Sequence, residues 1–157
     1  MYHFIPDETD LKIMQVLQEN AWLSAEQVGR KVNKSKSATA ERIQKLLAHG
    51  YIRQVTALLN RQLLGKPVMM IALVRLKEHG SGIVAAFGEG MAMLPEVNVC
   101  LHLTGKYDFM LQLTMRSAEA YERFLAERLF PLPFVDKVHS SLVLNEMKLN
   151  MTLQLAD

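Results

Sequence analysis

Residues 24–50 read SAEQVGRKVNKSKSATAERIQKLLAHG, and the organisation of the first third of the chain turns on them. Ser24 followed by Gln27 is a capping box, the pair that satisfies the free N–H groups at a helix start. Val28 and Val32 then supply the buried stripe of a short helix, which Asn33-Lys34 interrupts. Ser35 caps a longer helix with Ala40, Ile43, Leu46 and Leu47 on one face, and His49-Gly50 ends it. Upstream, Leu11, Ile13, Met14 and Leu17 recur at helical spacing behind Asp7 and Asp10, whose carboxylates suit a helix N-terminus; that helix ends near Asn20. A short helix, a tight polar turn and a longer helix make a helix-turn-helix. Tyr51-Ile52-Arg53-Gln54-Val55 follows at once and reads as the strand of a winged variant.

The charge is as uneven as the patterning. The 157 residues carry a net +2, but residues 1–66 hold ten bases against six acids while residues 67–157 hold eight against ten. Six of the bases and one acid fall between Arg30 and Lys45. With Ile43 and Leu47 inward, Ser37, Ala38, Glu41, Arg42 and Lys45 point outward, and Lys34, Ser35 and Lys36 stand at the helix N-terminus. That terminus also attracts phosphate through its free N–H groups. A helix entering the major groove of double-stranded DNA needs this distribution. Arg42 is the candidate for a bidentate contact to guanine, and Lys34, Lys36 and Lys45 are candidates for phosphate. The same face also suits a protein-interaction module with solvated bases.

The remaining residues have a different texture. Residues 68–77 form an apolar strand ending in alternation, and Ile83, Val84, Phe87, Met91 and Leu94 form a helical stripe. Val97, Val99, Leu101 and Leu103 alternate with polar or small residues, and Phe109, Leu111, Leu113 and Met115 repeat the pattern after a turn at Gly105. Ser117 opens a helix with Tyr121, Phe124, Leu125 and Leu129 inward, stopped by Pro131 and Pro133. From Met147 to Leu155 the odd positions are apolar, which predicts a closing strand, with a break or bulge at Asn145-Glu146 where the parity slips. The order is βαββαβ plus that strand, a ferredoxin-like α+β domain. Its uncovered sheet face is partly apolar and wants a partner, most simply a second copy.

Other classes recede. The longest uncharged apolar run, residues 68–74, is too short for a membrane helix, and acids at Asp7, Glu8 and Asp10 argue against an export signal. One cysteine, Cys100, suits a cytoplasmic protein and reads as a small hydrophobe on a strand. Five dispersed histidines give no zinc spacing, and no phosphate loop, catalytic triad or carboxylate pair appears. The expectation is a protein that is not an enzyme and holds no metal or cofactor.

Four local strings sharpen this reading. Asp7-Glu8-Thr9-Asp10-Leu11-Lys12-Ile13-Met14 with Leu17-Gln18-Glu19-Asn20 resembles the opening of the Lrp/AsnC (leucine-responsive, feast/famine) regulators. Arg42-Ile43-Gln44-Lys45-Leu46 with Gly50-Tyr51-Ile52 resembles the end of that family's recognition helix and the start of its hinge strand. Leu103-Thr104-Gly105-Lys106-Tyr107-Asp108-Phe109-Met110-Leu111 resembles its Gly-x-Tyr-Asp turn, and Leu142-Val143-Leu144 with Glu146 and Lys148 its closing strand. The resemblance runs from about Asp7 to Leu153. Two departures accompany it: prolines common near Lys36 or Ala38 are absent, and Glu41 is acidic where a base is common. Glu41 suits either a cytosine N4 contact or a pair with Lys45.

The resemblance implies a winged helix-turn-helix domain over residues 1–60, a linker at 61–67, and a ferredoxin-like effector and dimerisation domain over 68–157. It implies a homodimer joined through the sheets, often assembled into octamers, and an amino-acid effector bound between these domains. Thr104, Gly105, Lys106, Tyr107 and Asp108, with Ser140, Ser141 and Leu142, would carry that effector. Asp108 suits an α-ammonium group and the turn's N–H groups an α-carboxylate, although the same residues also make a plain hairpin with Asp108 capping its backbone. The function expected is a DNA-binding transcriptional regulator tuned by an amino acid. The alternative is an architectural DNA-binding protein without an effector.

Overall fold

The computed structural model describes residues 4–149 and 152–155. The chain divides into two compact units, Met1–Leu58 with Lys148–Asp157, and Leu59–Met147. The first is helical: α1 (Glu8–Glu19), α2 (Ala25–Val32) and α3 (Lys36–Ala48). Each helix start is explained by its cap. Asp7 and Asp10 exchange backbone-to-carboxylate hydrogen bonds of 2.9 and 3.1 Å, while the Gln27 N–H donates to Ser24 Oγ at 3.3 Å and the Ser24 N–H to the Gln27 amide oxygen at 2.8 Å. Ser35 Oγ accepts from the Ala38 N–H. The turn between α2 and α3 is made by Asn33 in the left-handed region (φ 54°). There the helices close on Gly29, where a Cβ would lie 2.6 Å from the Lys34 carbonyl and 2.8 Å from Thr39 Oγ1. Ile13, Met14, Val28, Val32 and Leu46 form the core, and Leu155 from the far end of the chain packs against it. The Gln18 amide grips the same stretch, donating to the Leu153 carbonyl and accepting from its N–H.

The second unit holds β1 (Val68–Leu76), α4 (Ser81–Ala92), β2 (Val97–His102), β3 (Phe109–Met115), α5 (Ala118–Phe124) and β4 (Val135–Leu142). A π-helical turn, Leu125–Leu129, prolongs α5. The strands pair antiparallel in the order β2-β3-β1-β4, which is the ferredoxin-like topology. Register sets the faces. Met70, Ala72, Val74 and Leu76 stand opposite Leu113, Leu111, Phe109 and their β4 partners, and this side buries against Phe87, Met91, Tyr121, Phe124 and Leu129. The opposite parity, Ile71, Leu73, Leu101 and Met110 with Gln112, His139 and Ser141, faces away from those helices.

Two expected strands are not formed. Tyr51 and Ile52 make a bend and residues 53–60 have no regular structure, because no described segment of the chain pairs with them. Pairing of β4 ends at Leu142, with a last bond from the Val143 N–H to the Met69 carbonyl. Residues 143–149 and 152–155 are not strand, and Lys148–Asp157 belongs with the helical unit. Asn150 and Met151, within that expected strand, lie outside the described residues. Among the described residues no helix is long and apolar enough to cross a membrane.

Candidate nucleic-acid interface and effector turn

α3 buries Thr39 and Leu46 and half-buries Ala38, Ala40, Arg42, Ile43 and Leu47, which leaves Ser37, Glu41, Gln44, Lys45 and Ala48 in solvent. These lie one turn apart and form a single row, continued at the helix start by Lys34, Ser35 and Lys36. Ser35 is occupied as the cap, and its Oγ lies 3.2 Å from Ser37 Oγ. Lys45 rests its ammonium 4.6 Å above the Phe4 ring, and the Tyr51 hydroxyl donates to the Phe4 carbonyl. Glu41 makes no ion pair among the described residues, with Lys45 or otherwise.

Arg42 does not join that row. Its Nη1 lies 2.8 Å from both Asp7 Oδ2 and Asp10 Oδ1, so the guanidinium clamps α3 onto the cap of α1. The Asp10 side chain is 3% exposed, and a carboxylate that deep needs such a partner. The Asp10 N–H and then Arg42 hold the Asp7 carboxyl below its ordinary value, while Asp10 and Asp7 raise the guanidinium. Arg42, expected to face guanine, is here engaged in an ion pair within the helical unit. Gln44 takes the vacated place on the outer row. Its spacing of seven from Ser37 and three from Glu41 places it there in the sequence, but a neutral side chain carries no charge signal beside the bases.

The turn between β2 and β3 is closed by the Leu103 N–H donating to the Asp108 carbonyl at 2.7 Å, with Gly105 at φ 109°. Thr104, Gly105 and Lys106 are exposed and Tyr107 half-buried. Asp108 is buried, and its carboxylate is spoken for: Oδ2 accepts from the Leu76 N–H at 2.7 Å and Oδ1 lies 3.0 Å from His79 Nε2. It ties the turn to the end of β1 rather than standing open for an ammonium group. The β4 residues do not converge either. Ser140, opposite Ala72, faces the helices and bonds the Tyr121 hydroxyl at 2.6 Å, Leu142 shares that parity, and Ser141, opposite Ile71, faces the other way. Burial pushes the Tyr121 hydroxyl up, partly countered by Ser140. Beside the turn, the rings of Tyr107 and His139 stand 6.3 Å apart.

With these geometries fixed, comparison with known proteins is decisive. The AsnC-type helix-turn-helix domain matches residues 7–47, and the Lrp/AsnC ligand binding domain matches residues 69–153. The chain belongs to the Lrp/AsnC family. It is 32% identical over 142 residues to the transcriptional regulator AzlB of Bacillus subtilis, covering 90% of each chain. It is 30% identical to the proline dehydrogenase transcriptional activator of Rhizobium radiobacter, over 90% of this chain and 91% of that one. Among solved structures, a transcriptional regulator from Neisseria meningitidis in complex with L-Met matches with a TM-score of 0.87 at 31% identity, covering 96% of this chain and 97% of that one.

This Lrp/AsnC chain is thus a transcriptional regulator with a helix-turn-helix unit and a ligand-binding domain. Its α3 row presents the hydrogen-bonding side chains of Ser37, Glu41 and Gln44 to solvent, with the Lys34 and Lys36 side chains exposed at the helix start. Sequence reasoning missed three residues beside the expected ones: Gln44, His79 and His139. His79 lies in the loop after β1 and His139 on β4, and each meets a partner distant in sequence, so no local signal marks them. Among the described residues no cluster of three His, Cys, Asp or Glu could hold a metal ion.

Proposed function

We propose that the protein acts in the cytoplasm as a homodimer, extendable to an octamer, that reads a two-fold-related site on double-stranded DNA and answers to an amino acid. The observation that carries this reading is the single solvent-facing row of α3, Ser37, Glu41, Gln44 and Lys45, behind Lys34 and Lys36 at its start. Ser37, Glu41 and Gln44 face base edges, Ser35 holds the helix start, Ala38 lies at the edge of the footprint, and Arg42 holds the helix in its pose. The copies join through the sheet face of Ile71, Leu73, Leu101 and Met110, whose apolar side chains no helix of the unit covers. The L-Met held by the Neisseria meningitidis regulator supports an amino-acid effector. Here it would meet the exposed turn Thr104, Gly105 and Lys106, the paired rings of Tyr107 and His139, and Ser141 on the same sheet face as His139, with Asp108 and Ser140 holding the framework and Leu142 on the helix side of the sheet.

Gel shift against promoter DNA at two salt concentrations tests the first part. Salt-dependent binding is expected, and Lys36→Ala should weaken it for every sequence and flatten the salt slope. Protein that shows no shift in low salt would refute it. Sedimentation with each amino acid in turn tests the second part, through a ligand-dependent change in oligomer size. No change with any of them favours the architectural alternative.

A further inference from the structure

At the end of β3 farthest from the 104–108 turn, a cleft of about 340 Å3 opens among residues of β3, α5 and the segment leading into β2. Four bases line it, Lys66, Arg116, Arg123 and Arg128, against two carboxylates, Glu96 and Glu127, so positive charge is in excess. The side chains of the four bases make no ion pair or hydrogen bond with a described residue. The two acids differ. Glu127 is exposed, and water satisfies its oxygens. Glu96 is anchored to β3, its carbonyl accepting from the Thr114 N–H at 3.3 Å, and its Oε2 is buried with no hydrogen-bond partner among the described residues. Such acceptors are nearly always partnered, so this oxygen gains from a donor brought to it.

These two demands narrow the ligand. The bases call for an anion. A fully ionised anion such as sulfate has acceptors only, and it would set a negative oxygen against Glu96. A cationic donor would satisfy Glu96 but would face the four bases. One class of anion brings its own donor: an oxyanion that keeps a proton. Its O–H can point at the carboxylate while its other oxygens accept from the guanidiniums, and both kinds of bond are short and charge-assisted. Inorganic phosphate carries a P–OH throughout the neutral range. A phosphate monoester sheds its last acidic proton at about pH 6 and with it the donor.

We propose that this cleft is a binding site for inorganic hydrogen phosphate, its P–OH donated to Glu96 Oε2 and its remaining oxygens held by Lys66, Arg116, Arg123 and Arg128. Glu96 is then the residue that separates phosphate from sulfate, since its charge opposes every anion and its free oxygen rewards only one that can donate. The site is separate from the 104–108 turn and does not depend on the DNA reading.

The test uses the full chain carrying 13C-methyl methionine. Met115 lines the cleft, and its signal is assigned by its loss in Met115→Leu. At constant ionic strength and about pH 8, sodium phosphate should move that signal saturably, and sodium sulfate and methyl phosphate should each bind roughly tenfold or more weakly. Arg123→Gln should weaken phosphate binding. Glu96→Gln should abolish the preference and raise sulfate to the level of phosphate, because an amide N–H serves either anion. The other methionine methyls report whether each variant is folded. Lys36→Ala, at the start of α3 where free N–H groups also attract phosphate, should leave the Met115 titration unchanged. A Met115 signal unmoved by phosphate in the millimolar range overturns the proposal. So does an equal response to sulfate or methyl phosphate in the unaltered protein. An undiminished preference for phosphate in folded Glu96→Gln, or full phosphate binding in folded Arg123→Gln, overturns it as well. Gel shift on the same variants is an independent readout, so failure here and failure of DNA binding are told apart.

Discussion

Arg42 and Gln44 are two residues apart and have opposite work. Removing Arg42 leaves the nearly buried Asp10 carboxylate without its partner, so Arg42→Ala should cost of the order of 2 kcal/mol, a partly exposed version of breaking a buried pair. Urea unfolding measures this directly, and an unchanged midpoint would return Arg42 to the DNA-facing set. Gln44→Ala should leave the melt alone and change which bases are preferred, read by selection from a randomised site. Asp7 adds a pH dependence. Its folded pKa is depressed below the ordinary 3.8, so its stabilisation is complete above that value and is lost as pH falls through the folded pKa. Asp7→Asn should therefore flatten the part of the stability profile below about pH 4, with little change in shape near neutrality.

At the scale of elements, the helices were legible because their signals are local. Ser24, Ser35 and Ser117 each cap the helix they announce, and the alternation in 109–115 gives that strand and its buried side; in 97–102 it gives the strand only, because a register shift after Val97 turns Cys100 and His102 toward the core and Leu101 away from it. The wing and the closing strand were not legible, since apolar alternation says that a segment suits a sheet and not that a neighbour exists to pair with it. The candidate site divides the same way. Helical projection placed the α3 row, but the direction of Arg42 is decided by Asp7, 35 residues away, and the occupation of Asp108 by Leu76, 32 away. The turn between α2 and α3 offers the sharpest check on an element. Gly29→Ala must move either the Lys34 carbonyl or the buried Thr39 hydroxyl, neither a flexible chain end, and should cost about 1–3 kcal/mol. Thermal unfolding with a wild-type-like melt would show that the turn yields more easily than its packing implies.

For the whole molecule, the sheet face that its own helices leave uncovered is where assembly is expected. Leu73→Asp places a charge at the centre of that face, on a central strand, and should lower the sedimenting mass toward that of a single chain without abolishing the fold. A protein of undiminished mass would move the interface elsewhere. Loss of mass should also weaken DNA binding, because two half-sites would then be read by independent chains.

The hold of Gln18 on Leu153, and the seat of Leu155 on the helical core, have a consequence for how the protein is made. The helices leave the ribosome before the sheet, yet part of their packing arrives with residues translated after the entire sheet. The nascent helical unit must wait in a less stable form through most of synthesis, and a ribosome-stalled chain ending at 147 should be more readily cut by protease within residues 4–58 than the released protein.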